Sequence, residues 1–426
     1  MPLKIGNRII LTNTADAEHA AVRVYGAKYA LDRAIKAKFG DGKTTVVAID
    51  RPYKTSPGSI IAGGHFTAPG LRRGQVLGLG DDQECFASLD PRGDSIASIA
   101  DASAYWCTVG RGASPGSFVY AILAWQDGFV VAGNFSRIGD IDANNIAYWD
   151  GAVWHPLGSG TDGMIECLAE YDGDLIVGGD FADAGGVGCD NVARWDGDAW
   201  HAMADGSYHS LRSLVICGGT LYGTIFQDGE DGQGVWTSRV GAWNGSSWDI
   251  LGKSRFGEYG PYHEAIVTCL GDWNGTLVAG GYLLFEDEDG IHNVITWNGS
   301  AWSPIGTVDL WGDYGVSVST IFVYDGKLTV AGYFDTAGDG DDADDCNNIA
   351  SYSGSGSIWN PFDTGTSGGV SAALIIGGDL IIGGGFSSAS GTPVNGAAIW
   401  NGEGWAAFGN NHIYGAMSVY GLLLLS

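Results

Sequence analysis

Residues 171–200 read YDGDLIVGGDFADAGGVGCDNVARWDGDAW, and this stretch decides the fold. The run Leu175-Ile176-Val177 ends in Gly178-Gly179 and an aromatic, Phe181. After a loop come Asn191, a second short run closing on Trp195, the pair Asp196-Gly197, and Trp200. Asp172-Gly173 and Asp196-Gly197 are pairs that accept positive φ in two-residue hairpins, and the flanking residues have the β-branched and aromatic character of strands. One small antiparallel sheet follows from these letters.

The same pattern recurs along the chain. Paired aromatics fall at Trp149/Trp154, Trp195/Trp200, Trp243/Trp248, Trp297/Trp302, Tyr352/Trp359 and Trp400/Trp405, and only Tyr352/Trp359 departs from the five-residue spacing. Upstream of each pair lies a turn and an apolar strand, as in QDGFVVAGNF (126–135), GGTLYGTIF (218–226), NGTLVAGGY (274–282), DGKLTVAGYF (325–334) and GGDLIIGGGF (377–386). A four-stranded unit of this size cannot bury both faces alone, so successive units must pack face to face. Radial closure does this with only short sheet edges, which predicts an all-β propeller of four-stranded blades, seven by this reading with six or eight also compatible.

A double Gly ending the second strand, followed by a spaced aromatic pair, resembles the kelch-type repeat. The wording VGGDF…NVARWDG..W is similar to a kelch-related subtype found in bacterial and phage surface and virion proteins. The resemblance covers residues 118–409. It implies the fold and leaves activity open, since propellers host unrelated functions. Two departures stand out: Tyr352 replaces a Trp, and Gly223-Thr224 stands where other units carry the double Gly.

Composition agrees. The 71 glycines among 426 residues show no collagen period and are accounted for by tight turns and Gly pairs. A net charge of −28 argues against nonspecific nucleic-acid binding and against an anionic membrane surface. No run is long and apolar enough to span a bilayer, and the N-terminus lacks the apolar core of a signal peptide. The seven cysteines, Cys85, Cys107, Cys167, Cys189, Cys217, Cys269 and Cys346, form no CxxC spacing and read as buried free thiols. Together these features suggest a protein assembled in a host cytoplasm.

The first 55 residues differ in kind. They carry ten Lys or Arg against five Asp or Glu, while the rest of the chain is strongly acidic. This divides the chain into a basic anchor segment, 1–55, and a propeller, 56–426. Residues 15–39 are Ala-rich, with Thr14 as a cap and Val24, Leu31, Ile35 and Phe39 at helical spacing, which predicts a helix. Lys28, Arg33, Lys36 and Lys38 make its other aspect basic, a surface either for its own acidic propeller or for docking on a partner protein. DGKTTVVAI (41–49) and GSIIAGGHF (58–66) both imitate the repeat's second strand, and AYW (104–106) its third. Residues 41–110 thus read as a degenerate blade, closed by a strand pair from 412–426.

Loops sort by face. The longer connections, between second and third strands and between blades, share the face opposite the tight turns, and rigidly held loops are where binding resides. Several are acidic. In GDGDDADDCNN (338–348), Asp339, Asp341, Asp342, Asp344 and Asp345 offer hard oxygen ligands for calcium, although the misplaced Gly misses the EF-hand pattern and solvated turns explain the run equally. Two inter-blade loops are aromatic: Phe256, Tyr259, Tyr262 and His263 in one, Trp311 and Tyr314 in the other. These do not repeat, and an unrepeated aromatic fits stacking on a carbohydrate or a surface receptor as well as loop packing.

Enzyme signals are weak. His155 and His201 occupy one repeat position, and SxDxGxTW, HExxH and phosphate-loop patterns are absent from the sequence. The expectation is a noncatalytic structural or attachment protein of a phage particle, capsid-surface or tail-associated. It would have no obligatory cofactor, and its partners would be other virion proteins through the N-terminal segment and a host glycan or receptor through the loops. The rival readings are a glycan-acting enzyme, using carboxylate pairs from the acidic loops, and an intracellular interaction scaffold.

Overall fold

The structure is a computed structural model. It describes side chains for residues 117–204, 210–225, 238–252, 266–281, 293–305, 316–337, 346–354, 359–408 and 420–422, with Ala113, Gly206, Ser207 and Leu283; some further strands are described by backbone alone. The chain divides into two compact units, Met1–Lys54 with Gly151–Val153, and Thr55–Asp150 with Trp154–Ser426. Among the described residues no helix is long and apolar enough to cross a membrane.

The larger unit is a β-propeller. Six four-stranded antiparallel blades follow one another along the chain, at residues 118–156, 164–202, 214–250, 266–304, 317–361 and 370–407, here blades 1 to 6. A further four-stranded sheet takes Met417–Leu424 from the C-terminal end and Ile60–Phe66, Val76–Gly80 and Tyr105–Thr108 from the N-terminal side. Its strand Met417–Leu424 packs against the first strands of both blade 6, Val370–Ile376, and blade 1, Phe118–Trp125. The first strands therefore close a circle, and the two ends of the larger unit are tied within one sheet. Residues 412–426 supply one strand to it, not the expected pair.

Turn chemistry explains each blade. In blade 2, Tyr171 pairs with Asp174 across the two-residue turn Asp172-Gly173, whose φ values of 53° and 87° are those an Asp-Gly pair accepts. The second hairpin differs from expectation. Trp195 pairs directly with Trp200, so Asp196 to Ala199 form a four-residue loop. Asp196 closes it by accepting the backbone N–H of Asp198 and Ala199 at 2.9 and 2.8 Å, and Asn244, Asn298 and Asn401 do the same in blades 3, 4 and 6. This is why the aromatic spacing is five. It puts both rings in register on one face, with centroids 5.0–5.3 Å apart in the five Trp/Trp pairs. The second Trp also joins neighbouring blades, since Trp200, Trp302 and Trp405 donate Nε1–H to the carbonyls of Leu157, Leu251 and Phe362 on the preceding blade.

The double Gly has a different cause. In blades 1, 2, 4, 5 and 6 the first strand carries one extra residue, a β-bulge, opposite the end of the second strand. The glycine there lies against the bulged backbone: a Cβ on Gly179 would sit 2.2 Å from the Met164 carbonyl oxygen, and the same collision recurs at Gly133, Gly281, Gly332 and Gly384. Blade 3 supplies the natural contrast. By strand register Thr224-Ile225, rather than Gly223-Thr224, occupy the glycine positions, and Leu214–Cys217 pairs with Thr220–Asp228 without a bulge. There the Thr224 hydroxyl accepts the N–H of both Arg212 and Ser213. Bulge and glycine come and go together.

The repeated asparagines latch blade to blade. Asn191, buried and at φ 72°, accepts the Phe181 N–H at 2.9 Å and donates to the Ser207 carbonyl, on the connection to blade 3, at 2.6 Å. Asn145 and Asn348 repeat this with Phe135 and Thr161, and with Phe334 and Thr366. Asn191→Ala would remove both bonds and leave the buried Phe181 N–H unpaired, and a loss of about 1–3 kcal/mol is expected in urea unfolding. Cys167, Cys189, Cys217, Cys269 and Cys346 are buried free thiols. The Cys167 and Cys269 thiols donate across the blade interface to the carbonyls of Leu211 and Val318, each at 3.3 Å. Burial pushes Cys269 up to about 12 and Cys189 to about 11, so these thiols belong to the packing.

Within Met1–Lys54 the structure corrects the helix expectation. Arg33–Lys38 is a strand, antiparallel to Thr45–Asp50, in a four-stranded sheet completed by Leu3–Ile5 and Arg8–Leu11. Helix propensity favours an Ala-rich segment by only tenths of a kcal/mol per residue, and the partner strand, with Thr45, Val46, Val47 and Ile49, is strongly β-forming. The rest of the helix expectation, residues 15–32, lies outside the described residues. The same pairing removes DGKTTVVAI from the propeller, so of the two second-strand copies only GSIIAGGHF serves there, and Tyr105–Thr108, expected as a third strand, is the fourth, because Val76–Gly80 pairs between them.

Candidate functional site

None of the site residues expected from sequence has a described side chain. Phe256, Tyr262, Tyr314, Asp339, Asp341, Asp342 and Lys28 lie outside the described residues. Tyr259 and His263 are opposed in a two-stranded hairpin, Glu258–Tyr259 with His263–Glu264. Arg33, Lys36 and Lys38 sit on the strand Arg33–Lys38. The backbone does bring two expected loops together. Asp309–Trp311 pairs with Thr336–Gly338, which pairs with Asp344–Asp345, so Trp311 shares a three-stranded sheet with Asp344 and Asp345.

In blades 1, 2 and 6 the second-to-third-strand connection is a small hairpin bridged to the incoming chain at Ala113, Thr161 and Thr366. In blade 2 it comprises Asp183–Ala184 and Val187–Gly188, and Ala184 bridges Thr161 of the connection. The two kinds of long connection thus share a face. An open cavity of about 320 Å³ lies here, lined by Asp162, Gly163, Asp180, Phe181, Ala182, Asp190 and Asn191. Asp162 accepts the N–H of Ala182 and Asp183, each at 2.9 Å, and Ser367 accepts those of Ser387 and Ser388 in blade 6. That carboxylate therefore fills a structural position of the repeat. No group of three or more His, Cys, Asp or Glu able to hold a metal occurs among the described residues.

The two histidines at one repeat position have a structural partner too. His155 and His201 reach the carboxylates of Asp150 and Asp196, at 2.7 and 2.6 Å, across the outer hairpin loops. The Asp196 carboxyl is held well below its usual range, first by the N–H groups of Asp198 and Ala199 and then by His201. A depressed folded value stabilises the fold above the unfolded pKa of about 3.9 and loses that contribution as pH falls through the folded value. In denaturant unfolding, the deficit of Asp196→Asn against the natural protein should accordingly shrink from pH 5 toward pH 2.

On the first strands, which meet around the ring, the bulges single out a collar of residues that the sequence pattern does not announce. The extra residues of the first strands are Tyr120, Glu166, Thr268, Ser319 and Ser371 in blades 1, 2, 4, 5 and 6, and Tyr420 in the composite sheet, while Arg212 holds the equivalent position in blade 3. Tyr120, Glu166, Thr268, Ser371 and Tyr420 are half-buried, and Arg212 and Ser319 are exposed. Tyr120 meets Tyr420 edge-on, 5.7 Å between ring centroids, and stacks on Phe118 at 5.9 Å. Burial, Tyr420 and Glu166 together raise the Tyr120 hydroxyl, so this phenol stays neutral. Glu166 is oriented by Ser210, whose hydroxyl donates to it at 2.5 Å.

These features define the class of the molecule as a β-propeller with a diversified axial collar. No protein-family model matches the chain, and no curated protein matches it. Solved structures similar to it include the computationally designed Ika8 protein, 13% identical with a TM-score of 0.41, over 72% of this chain and 90% of that one. A chain of the mitotic checkpoint complex is 14% identical with a TM-score of 0.42, over 85% of this chain and 95% of that one. The architecture assigned here rests on the sheet topology itself.

Proposed function

We propose that the protein is a noncatalytic recognition module, in which the propeller is a rigid frame and its loop face contacts a glycan or other surface receptor. The observation that carries this reading is the contrast at the axis. One backbone position repeats around the ring, yet its side chains are Tyr, Glu, Arg, Thr, Ser, Ser and Tyr, whereas positions that serve the fold vary less: the second Trp of each pair is kept in all six blades and the Asn at the start of the third strand in four. Variation on an invariant frame is how binding surfaces are built. The setting that fits the kelch-like resemblance is a phage particle, where the protein would decorate a capsid or belong to a tail, with Lys28, Arg33, Lys36 and Lys38 facing a virion partner.

The test uses the full chain on an array of bacterial surface saccharides and on candidate host cells. Saturable binding is expected, weakened by Tyr262→Ala or Trp311→Ala if the outer loops share the contact. An array and cells that retain nothing would overturn the reading. For the anchor, reversing Lys28, Arg33, Lys36 and Lys38 to Glu should abolish co-sedimentation with particles, and unchanged sedimentation would remove that role. A glycan-acting enzyme remains the alternative reading, distinguished by release of cleaved saccharide.

A further inference from the structure

Resting on that recognition reading, we infer that the axial collar is itself a saccharide site, with Tyr120, Tyr420 and Glu166 as its contacting residues. A bulged residue is left out of its strand ladder, so its side chain is free of the alternation that commits its neighbours to one blade interface or the other. The bulges stand near the start of the first strands, where the inter-blade connections enter. The collar therefore belongs to the same face as the loops.

Its chemistry is uneven around the ring. Phe118, Tyr120 and Tyr420 form an aromatic wall between blade 1 and the composite sheet. Beside it, Glu166 presents a carboxylate already oriented by Ser210. On blades 5 and 6 the equivalent residues are the hydroxyls of Ser319 and Ser371. An aromatic face next to a fixed carboxylate suits a pyranose ring, whose C–H face packs on the aromatic while its hydroxyls donate to the carboxylate. Thr268 contributes less to a ligand, because its hydroxyl is spent on the carbonyls of Gly280 and Val318. The acidic chain, at −28, favours a neutral saccharide over a sulfated or phosphorylated one.

The test is the same array of neutral and anionic bacterial saccharides, read with full-chain variants whose melting temperatures are checked alongside. Tyr120→Ala, Tyr420→Ala and Glu166→Gln are each expected to weaken binding about tenfold or more, while Tyr120→Phe, which keeps the ring, stays within about threefold. Asp198→Ala, on the outer hairpin, should bind as the natural protein does. Retained binding in all three collar variants, with loss in Tyr262→Ala or Trp311→Ala, would overturn the collar and leave recognition by the outer loops standing. Binding to no saccharide, or only to cationic peptides, would overturn both. A variant that fails to fold is replaced by Tyr120→Leu or Glu166→Ala, read against the same thresholds.

Discussion

Gly179→Ala is expected to lower the melting temperature by roughly 3–5 °C, corresponding to a loss of about 3–4 kcal/mol. The added methyl would lie 2.2 Å from the Met164 carbonyl oxygen and 2.7 Å from the Ile165 Cα, both backbone atoms that cannot swing aside. Relief requires the bulge at Glu166 to flatten, which would shift the register of Met164–Tyr171 on Asp174–Asp180 and turn its buried face. Ile165, fully buried in the contact between blades 1 and 2, would be the first casualty. Gly188→Ala is the control, because nothing lies within 4 Å of that position, and a change within about 0.5 kcal/mol is expected. Comparable losses in the two variants would mean that the glycine serves chain flexibility and not the close approach.

The second large effect falls on Trp200. Trp200→Ala should cost about 3–5 kcal/mol, since it removes a buried ring packed on Trp195 and among the residues joining blades 1 and 2. It also removes the Nε1–H bond to the Leu157 carbonyl at 3.0 Å. Trp200→Phe separates the two contributions. It keeps most of the ring contact and deletes the donor, so about 1–2 kcal/mol of the loss should persist in urea unfolding. A neutral Trp200→Phe would place the whole effect in packing and dismiss the inter-blade bond.

The propeller was legible because its signals are local and repeated. The Asp172-Gly173 turn, the second-strand apolar runs and the aromatic spacing each specify a hairpin, and their recurrence specifies the ring. Loop length was less legible: Asp-Gly at 196–197 suggests two residues, but Asp196 caps a four-residue loop through its side chain. The register at Thr224-Ile225 was hidden for a related reason, since only pairing with Leu214–Cys217 and Trp236–Trp243 shows which residue replaces which glycine. At Arg33–Lys38 the Ala-rich letters favour a helix, and the partner strand overrides them.

The axial collar was the least legible feature. A bulge is one extra residue in a strand, and nothing in the letters Val119-Tyr120-Ala121 or Ile165-Glu166-Cys167 marks which residue is extra. The hint available in sequence was the glycine opposite. Aligning Gly133, Gly179, Gly281, Gly332 and Gly384 would have pointed to the strand segments they face, and from there to the unrepeated residues between them.

The most direct measurement of the central claim is incubation of the full chain with the saccharide array, followed by mass spectrometry of both the retained and the released sugar. The account predicts a saccharide held by the natural protein, released intact on denaturation, and lost in Tyr120→Ala and Glu166→Gln. Shortened or newly reducing products appearing with time would contradict it and make the propeller an enzyme's scaffold.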